Sequence, residues 1–391
     1  MRSATQEPAP DSPASGVSAA RPYVYLDAAS SEPLHPAARE VLLAALERGY
    51  ADPRRLHGPA RTAGLLLENA REVCAEALGL RREEVTFTGS GTEAVHRGLL
   101  GLRRGRARVG GAVVHSAVEH SAVLHALEWV GGEHPQVGVD AHGRVSPDAV
   151  LAAVEESTAV VALQAANHEV GTRQPVAEVT TRLGERADPV PVFVDACAAA
   201  GRVPLPEGWA VAAASAHQWG GPAGVGLLLV RRGARWRAPF PVDDRSDPRA
   251  VGFEDVPAAL AAAAALRAVV AEREQTARRQ HALVDRIRAA AAAIPDVDVV
   301  GDPDDRLPHL VTFSCLYVQG EALVAELDRR GFGVASGSAC TASTLEPSHV
   351  LAAMGALTHG NVRVSLTRET TAEQVEAFCA VLPEVVEGLR P

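Results

Sequence analysis

The sequence contains no lysine. All 38 of its Lys and Arg positions are arginine, in a chain of 391 residues. Lysine is ordinarily among the commonest residues. GC-rich coding favours Arg and Ala over Lys, so depletion is expected here, whereas a complete absence over this length is harder to reach by drift. Whatever its origin, the absence excludes mechanisms that need an ε-amino group, including the usual P-loop NTPases, lysine general bases and lysine Schiff bases.

Paired cysteines, long apolar runs and an excess of positive charge are also missing. The five cysteines are widely spaced without a CxxC pair, which disfavours a disulfide framework and favours a reducing, cytoplasmic compartment. Cys74, Cys197, Cys315 and Cys379 are expected to pack as small hydrophobes, although Cys197, close to Asp195, could instead line a pocket. No apolar run approaches the roughly 18 residues of a membrane span. The formal net charge of −10 argues against a nucleic-acid partner, because such proteins are usually basic with clustered cations.

Three regions follow one another along the chain. Residues 1–22 are rich in Pro, Ala and Ser, lack the apolar stretch of a signal peptide, and are predicted to be a disordered tail. Residues 23–256 alternate apolar runs with helix-period segments, which predicts an α/β domain with a largely parallel sheet. Residues 257–391 begin with a long Ala/Arg/Glu helix, predicted at 257–293, and continue as a smaller α+β domain. The predicted strands cover 84–88, 112–116, 159–165, 191–195, 210–214, 225–230, 309–315 and 362–366.

Polar residues follow five of these strands in succession. In open α/β sheets, ligands bind beyond the carboxyl ends of the strands. The first cluster, Gly89-Ser90-Gly91-Thr92-Glu93, opens a helix, where backbone N–H groups bind anions and Thr92 adds a hydroxyl. The other clusters are Glu119-His120, Asn167-His168-Glu169, Asp195 and Ser215-Ala216-His217-Gln218. Each cluster alone is compatible with an ordinary helix cap or strand end. Together they predict a ligand site.

Longer motifs make the chain similar to a known family. The stretch from Ser336 to Ser348, SGSACTASTLEPS, resembles the cysteine loop of the cysteine desulfurases, which are class V, fold-type I aminotransferases that use pyridoxal phosphate (PLP). The stretch from Ser215 to Gly226 resembles the segment that carries their cofactor lysine. The resemblance extends from Tyr25 to about residue 371. It implies an α/β fold-type I aminotransferase fold with a mostly parallel seven-stranded sheet, a smaller C-terminal α+β domain and a homodimer.

The resemblance also implies roles for individual residues. Cys340 would take sulfur from L-cysteine, leaving alanine, and pass it as a persulfide to an acceptor. Arg363 would bind the substrate carboxylate, which suits a guanidinium fork. His120 would stack on the pyridine ring of PLP, and Asp195 would pair with its nitrogen. The residues bordering the phosphate would be Gly91, Thr92, Ser215 and His217.

Several positions depart from the family's pattern. Gln218 stands where the family has the lysine of the internal aldimine, and an amide nitrogen forms no Schiff base. His168 replaces the usual partner of the PLP phenolic oxygen and is expected on the substrate side of the site. Ala198 replaces a glutamine, and Phe253 stands where a neighbouring subunit would offer a phosphate-binding hydroxyl. Covalent attachment of PLP is therefore excluded, and weak binding or none is expected.

Several functions remain open. The chain could be a degenerate desulfurase whose Cys340 receives, stores or passes sulfur, alone or beside an active desulfurase partner. It could instead be a slow desulfurase that uses PLP without lysine. It could also be a repurposed enzyme or a non-enzymatic dimeric scaffold. A repurposed enzyme could bind a metal ion through His120, His168, Asp195 and His217, although we expect no metal there.

Overall fold

The structure, a computed structural model, describes residues 23–242, 247–336 and 347–391. The α-helices are α1 Pro36–Leu46, α2 Gly58–Leu78, α3 Gly91–Gly105, α4 Ser121–Val130, α5 Pro147–Ala152, α6 Val176–Gly184, α7 Val256–Ala292, α8 Gly320–Arg329, α9 His349–Ala353 and α10 Ala372–Leu389. The strands are β1 Val24–Tyr25, β2 Val85–Thr88, β3 Ala112–Ser116, β4 Gln136–Val137, β5 Thr158–Gln164, β6 Val192–Asp195, β7 Val211–Ser215, β8 Gly226–Val230, β9 Val297–Val300, β10 Leu310–Cys315, β11 Phe332–Gly333 and β12 Asn361–Ser365. Short 3-10 helices cover Arg82–Glu84 and Ala216–Trp219.

Seven strands form the central sheet, in the order β2-β8-β7-β6-β5-β3-β4. The strands β7, β6, β5, β3 and β4 pair in parallel, whereas β8 is antiparallel to both of its neighbours. Every residue of β5 and β7 is buried, which explains why these strands are continuously apolar instead of alternating. The expected α/β fold with a mostly parallel seven-stranded sheet is confirmed. The bounds of the predicted strands agree with the structure to within one residue.

A smaller antiparallel sheet, β12-β10-β9, lies in the C-terminal part of the chain. The long predicted helix is confirmed as α7, whose alanine-rich start, residues 256–266, is largely buried and which contacts both α1 and α10. Val24 and Leu26 belong to the same apolar core as Phe313 and Phe378, so the start of the described chain packs into the C-terminal core. The predicted domain division at residue 256 stays a prediction. No helix within the described ranges combines the length and the apolar character that crossing a membrane requires.

Candidate active site

A cavity of about 320 Å³ lies at the carboxyl ends of the central strands. Each of the five polar clusters contributes at least one side chain to its wall. The predicted site residues that line it are Gly91, Thr92, His120, His168, Asp195, Ser215, His217, Gln218 and Arg363. Cys340 lies outside the described residues. The fold therefore brings together predicted site residues that are separated by up to 272 positions, from Gly91 to Arg363.

The start of helix α3 forms one wall of the cavity. The hydroxyl of Ser90 accepts a hydrogen bond from the Glu93 amide at 3.0 Å, and the Glu93 carboxylate accepts one from the Gly89 amide at 2.8 Å. These contacts fix the turn that enters the helix. A Cβ on Gly91 would lie only 2.5 Å from the Cβ of Ser215, so glycine is required for this close approach. The first N–H groups of a helix lack internal acceptors, which makes this wall an anion cradle.

Gln218 lies in a small hydrogen-bonded group beside this cradle. Its Nε2 donates to the carbonyl oxygen of Ala29 at 2.9 Å and lies 3.3 Å from Nε2 of His217. Nδ1 of His217 lies 3.0 Å from the hydroxyl of Ser215. Burial lowers the pKa of His217, so its ring is neutral at pH 7. A neutral ring that carries its proton on Nδ1 satisfies both contacts, donating to Ser215 and accepting from Gln218.

Asp195 and Cys197 form the wall at the end of β6. The Asp195 carboxylate is 6% exposed and accepts a hydrogen bond from the Cys197 amide at 2.9 Å. Cys197, for which packing was preferred to lining the pocket, does both: it lines the cavity and packs against the apolar core that includes Phe193. Burial, followed by the charge of Asp195, raises the pKa of the Cys197 thiol well above its usual value. Because the thiolate is the nucleophile, Cys197 is poorly suited to accept sulfur.

Two histidine rings meet on the opposite wall. His120 and His168 make an edge-to-face contact with ring centres 4.9 Å apart. His120 caps α4, since its Nδ1 accepts from the Ala122 amide at 3.0 Å. Burial lowers the pKa of both rings, and lowers that of His168 well below its usual value. His168 lies 3.8 Å from a Glu169 oxygen, but a neutral imidazole makes no ion pair there. Within the described chain, neither ring nitrogen of His168 has a hydrogen-bond partner.

Arg363 is the one arginine among the lining residues of this cavity that the structure describes. It lies on β12 with a side chain that is 3% exposed. Its Nη1 donates to the His168 carbonyl at 3.1 Å, and its Nη2 donates to Ser30 at 2.7 Å and to Asp27 at 3.1 Å. Its Nε is buried with no acceptor in the described ranges. Three of its five N–H groups are therefore engaged, which holds the guanidinium firmly at the wall.

Residues on both sides of positions 337–346 are bonded to residues at or beside the cavity wall. On one side, Ala335 and Arg363 exchange backbone hydrogen bonds of 3.2 and 2.8 Å. On the other side, the Ser348 hydroxyl donates to a Glu169 carboxylate oxygen at 2.6 Å, and the Leu351 amide donates to Ser348. The chain therefore leaves and re-enters the described structure at positions fixed beside His168 and Arg363.

Two buried carboxyl groups behind the cavity belong to the predicted polar clusters, but the sequence assigned them no role in the site. Burial raises the pKa of Glu169 to about 7 and raises that of Glu119 well above its usual value. Glu119 accepts from the Gln164 amide at 2.9 Å, and its backbone carbonyl lies 2.9 Å from Nε2 of His349. Each of these glutamates is next to a cavity-lining histidine in the sequence, and this adjacency was the feature that could have indicated a role in the site. Their contacts position the residues that follow the cysteine segment.

The structure does not support the metal alternative. No group of three or more His, Cys, Asp or Glu side chains in the described residues is arranged to hold a metal ion. The reason is local: Nδ1 of His120 accepts from the helix α4 backbone, Nδ1 of His217 faces Ser215, and Asp195 accepts from the backbone. The alternative metal site of His120, His168, Asp195 and His217 therefore finds no support among the described residues.

Comparisons with known proteins agree with this geometry. The Aminotransferase class-V family model matches residues 24–378. The chain is 32% identical to "Cysteine desulfurase IscS" of Methanosarcina thermophila, over 96% of this chain and 94% of that protein. It is 35% identical to "IscS-like cysteine desulfurase" of Mycobacterium tuberculosis, over 94% and 97%. A solved structure titled "NIFS-LIKE PROTEIN" superposes with a TM-score of 0.86 at 27% identity, covering 94% of this chain and all of that one. The chain belongs to the cysteine desulfurase family of the class V aminotransferases.

Proposed function

We propose that this protein is a desulfurase-like sulfur carrier in which Cys340 accepts sulfur from a persulfide donor and passes it to an acceptor. One observation carries the proposal: the chain has no lysine, although its relatives are cysteine desulfurases. The family's own route to a persulfide depends on a lysine-bound cofactor. A chain without that amine keeps the receiving cysteine in the sequence and depends on another source of sulfur.

PLP is the cofactor that the family implies, and the cavity fits only part of it. The cradle of Gly91 and Ser215 suits a phosphate, because a helix start and a hydroxyl meet there with no intervening side chain. Asp195 offers a buried carboxylate for a ring nitrogen. The covalent attachment does not fit, because Gln218 presents an amide that is already bonded to a backbone carbonyl. No step of the proposed sulfur transfer passes through PLP.

The transfer needs no redox partner. The Cys340 thiolate attacks the outer sulfur of a donor persulfide, one S–S bond forms, and the donor's S–S bond breaks. The donor leaves as a thiolate, and the proton of the outer sulfur stays with it on the new persulfide. An active cysteine desulfurase supplies a donor of this kind. Two features support action at the cavity: the fixed attachments of the 337–346 segment, and the buried Arg363 beside them.

The test is persulfide formation on the intact chain. The purified protein is incubated with an active desulfurase and L-cysteine, and its persulfides are mapped by mass spectrometry. We expect the added sulfur on Cys340 and none after Cys340→Ser. Cys379, which is partly exposed, is the internal control for indiscriminate thiol reaction. Equal labelling of Cys379 and Cys340, or no label at all, overturns the proposal.

Slow desulfuration without lysine is the second candidate. It is favoured by the intact phosphate cradle and by the neutral His168, whose ring nitrogens have no partner among the described residues. Such a ring is equipped to take or give a proton in place of the amine. Alanine formation from L-cysteine with added PLP tests it. Turnover that is lost in both Cys340→Ser and His168→Gln supports this candidate. If no alanine forms, slow desulfuration is ruled out and the sulfur-carrier function remains as the proposal.

We also propose that the chain forms a homodimer through α1, α2 and the loop between them. Large apolar side chains are exposed on this face, with relative exposures of 56% to 89%. They are Leu43, Leu46, Tyr50, Leu56 and Leu65. Apolar patches of this kind mark association surfaces in soluble proteins. Sedimentation equilibrium should give a dimer for the native chain and a monomer for Leu56→Glu/Leu65→Glu; a native monomer overturns the assignment.

A further inference from the structure

A basic surface forms at the edge of the central sheet remote from the cavity. Helix α3 starts at the cavity with Gly91 and ends about 22 Å away along its axis. Strand β8 runs antiparallel to its neighbours, so its last residue, Val230, reaches the same remote edge. Two arginine-rich segments continue from these ends, residues 103–108 and 231–237. We call them, together with Trp129, the arginine surface.

The arginine surface has a high local charge in an otherwise acidic protein. Its two segments hold eight of the 38 arginines, namely Arg103, Arg104, Arg106, Arg108, Arg231, Arg232, Arg235 and Arg237. No Asp or Glu occurs from residue 94 to 118 or from residue 208 to 242. Among the described residues, ion pairs reach only two of the eight, linking Arg106 to Asp188 at 3.7 Å and Arg231 to Glu84 at 3.4 Å. The net charge of −10 is a whole-chain sum and conceals this concentration.

Glycines on α3 hold the two segments against each other. A Cβ on Gly105 would lie 1.6 Å from the Arg235 carbonyl oxygen, and one on Gly101 would lie 2.0 Å from the indole nitrogen of Trp236. Arg104 donates across the junction to the Ala238 carbonyl at 2.6 Å. The juxtaposition is therefore built into the packing. A helix C-terminus favours cations and accounts for Arg104, but residues 231–237 lie on no helix.

Exposed aromatic surface adjoins these arginines. Trp129 is 68% exposed, and its ring lies 5.7 Å from that of Phe240. The guanidinium of Arg97 lies 5.5 Å from the other ring of this pair, Phe240. A cavity of about 560 Å³ opens between Trp129 and the two arginines Arg103 and Arg104. That volume is within the range of small-ligand pockets, and its wall combines a stacking surface with cations.

We propose that the arginine surface binds single-stranded nucleic acid. Guanidinium groups bind phosphodiesters through charge-assisted hydrogen bonds, and exposed aromatic rings stack on bases that have left a duplex. An acidic protein or an anionic membrane would use the charge but would leave Trp129 without a function. Because the chain has no lysine, the use of arginine instead of lysine on this surface is not evidence for a particular ligand. The argument rests on the clustering, on the neighbouring tryptophan and on the five exposed arginines, against the expectation from net charge. These five are Arg104, Arg108, Arg232, Arg235 and Arg237.

Fluorescence anisotropy of labelled oligonucleotides with the full-length protein tests the proposal. Single-stranded RNA and DNA of the same sequence are compared with a duplex and with labelled poly-glutamate, over a series of salt concentrations. We expect the single strands to bind best, with affinity that falls as salt rises. Arg235→Gln/Arg237→Gln should weaken binding about tenfold or more and reduce the log–log salt slope by about 1.4. Trp129→Ala should weaken it about fivefold or more.

The control removes the same charge elsewhere. Arg278→Gln/Arg329→Gln changes two arginines that are 74% and 69% exposed, and it should leave binding unchanged. Photocrosslinking of the native chain to a bromouridine oligonucleotide provides an independent measurement, with Trp129 as the expected site. Equal binding of poly-glutamate with no effect of Trp129→Ala would assign the surface to an acidic protein and overturn the proposal. No binding at low salt, or crosslinks elsewhere, would also overturn it.

Discussion

Replacing Gln218 with lysine should give this chain its only ε-amino group, in the cavity that resembles a PLP site. Gln218 lines the main cavity and also a second one beside Trp219 and Arg202, so the longer side chain has room. The change removes two neutral hydrogen bonds, to Ala29 and to His217, which costs about 2 kcal/mol. A ligand present at about 100 times its dissociation constant stabilises the folded state by about 2.7 kcal/mol. The net expectation with PLP is a gain of about 1 kcal/mol.

The assay is retention of PLP after gel filtration, followed by borohydride reduction and peptide mapping. Gln218→Lys should keep about one PLP per chain, and the reduced adduct should map to residue 218. Arg278→Lys is the matched control, because it also introduces a single lysine, on an exposed face of α7. This variant shows how much PLP reacts with the α-amino group of the chain or with an exposed lysine. If Gln218→Lys retains no more PLP than Arg278→Lys, the cavity does not hold the cofactor in the family's orientation and the cradle argument is refuted.

Three further predictions concern the buried groups beside the cavity. Ser348→Ala removes the cap of α9 and leaves a buried Glu169 oxygen without its donor, so urea unfolding should show a loss of about 2–4 kcal/mol, whereas Ser348→Thr should lose much less. Glu169 has a folded-state pKa of about 7, above its unfolded value of about 4.5. Its protonated form therefore stabilises the fold at low pH, and this contribution is lost as the pH rises through 7. Glu169→Gln should remove about 3 kcal/mol of that pH dependence. Burial lowers the pKa of His309 well below 6.5, so it has the opposite sign: stability falls below pH 6.5 with a slope of up to about 1.4 kcal/mol per pH unit, and His309→Gln should flatten that slope. Equal pH profiles for a variant and the native chain would contradict the corresponding assignment.

The sheet and the cavity wall were predictable because their signals are local. A buried parallel strand such as β5 is a run of apolar residues, and the polar residue after it must lie at the ligand edge. His168 and Asp195 were identified in this way. The orientation of Gln218 was not predictable, because its partner Ala29 lies 189 residues earlier and contributes only a carbonyl oxygen. Every residue has a backbone carbonyl, so the sequence does not indicate which of them will accept a hydrogen bond from Gln218.

Long-range contacts also explain what the sequence missed. Ser348 and Glu169 are 179 residues apart, and each has an ordinary local interpretation, as a helix cap and as a loop carboxylate. The arginine surface joins segments about 130 residues apart, and the contact of Arg104 with residue 238 appears only when α3 packs on the strand edge. Whole-chain charge is a poor guide in such a case, because the fold decides which charges become neighbours.

Position 218 and the residues that flank the cysteine segment are held by separate contacts. Gln218 is held by Ala29 and His217, whereas Ala335 is held by Arg363 and Ser348 by Glu169. Neither set of hydrogen bonds shares a residue with the other. A change of the side chain at position 218 therefore leaves the contacts of Ala335 and Ser348 in place. This separation allows a desulfurase scaffold to lose its own route to a persulfide while keeping its receiving end in place, as the proposed carrier function requires.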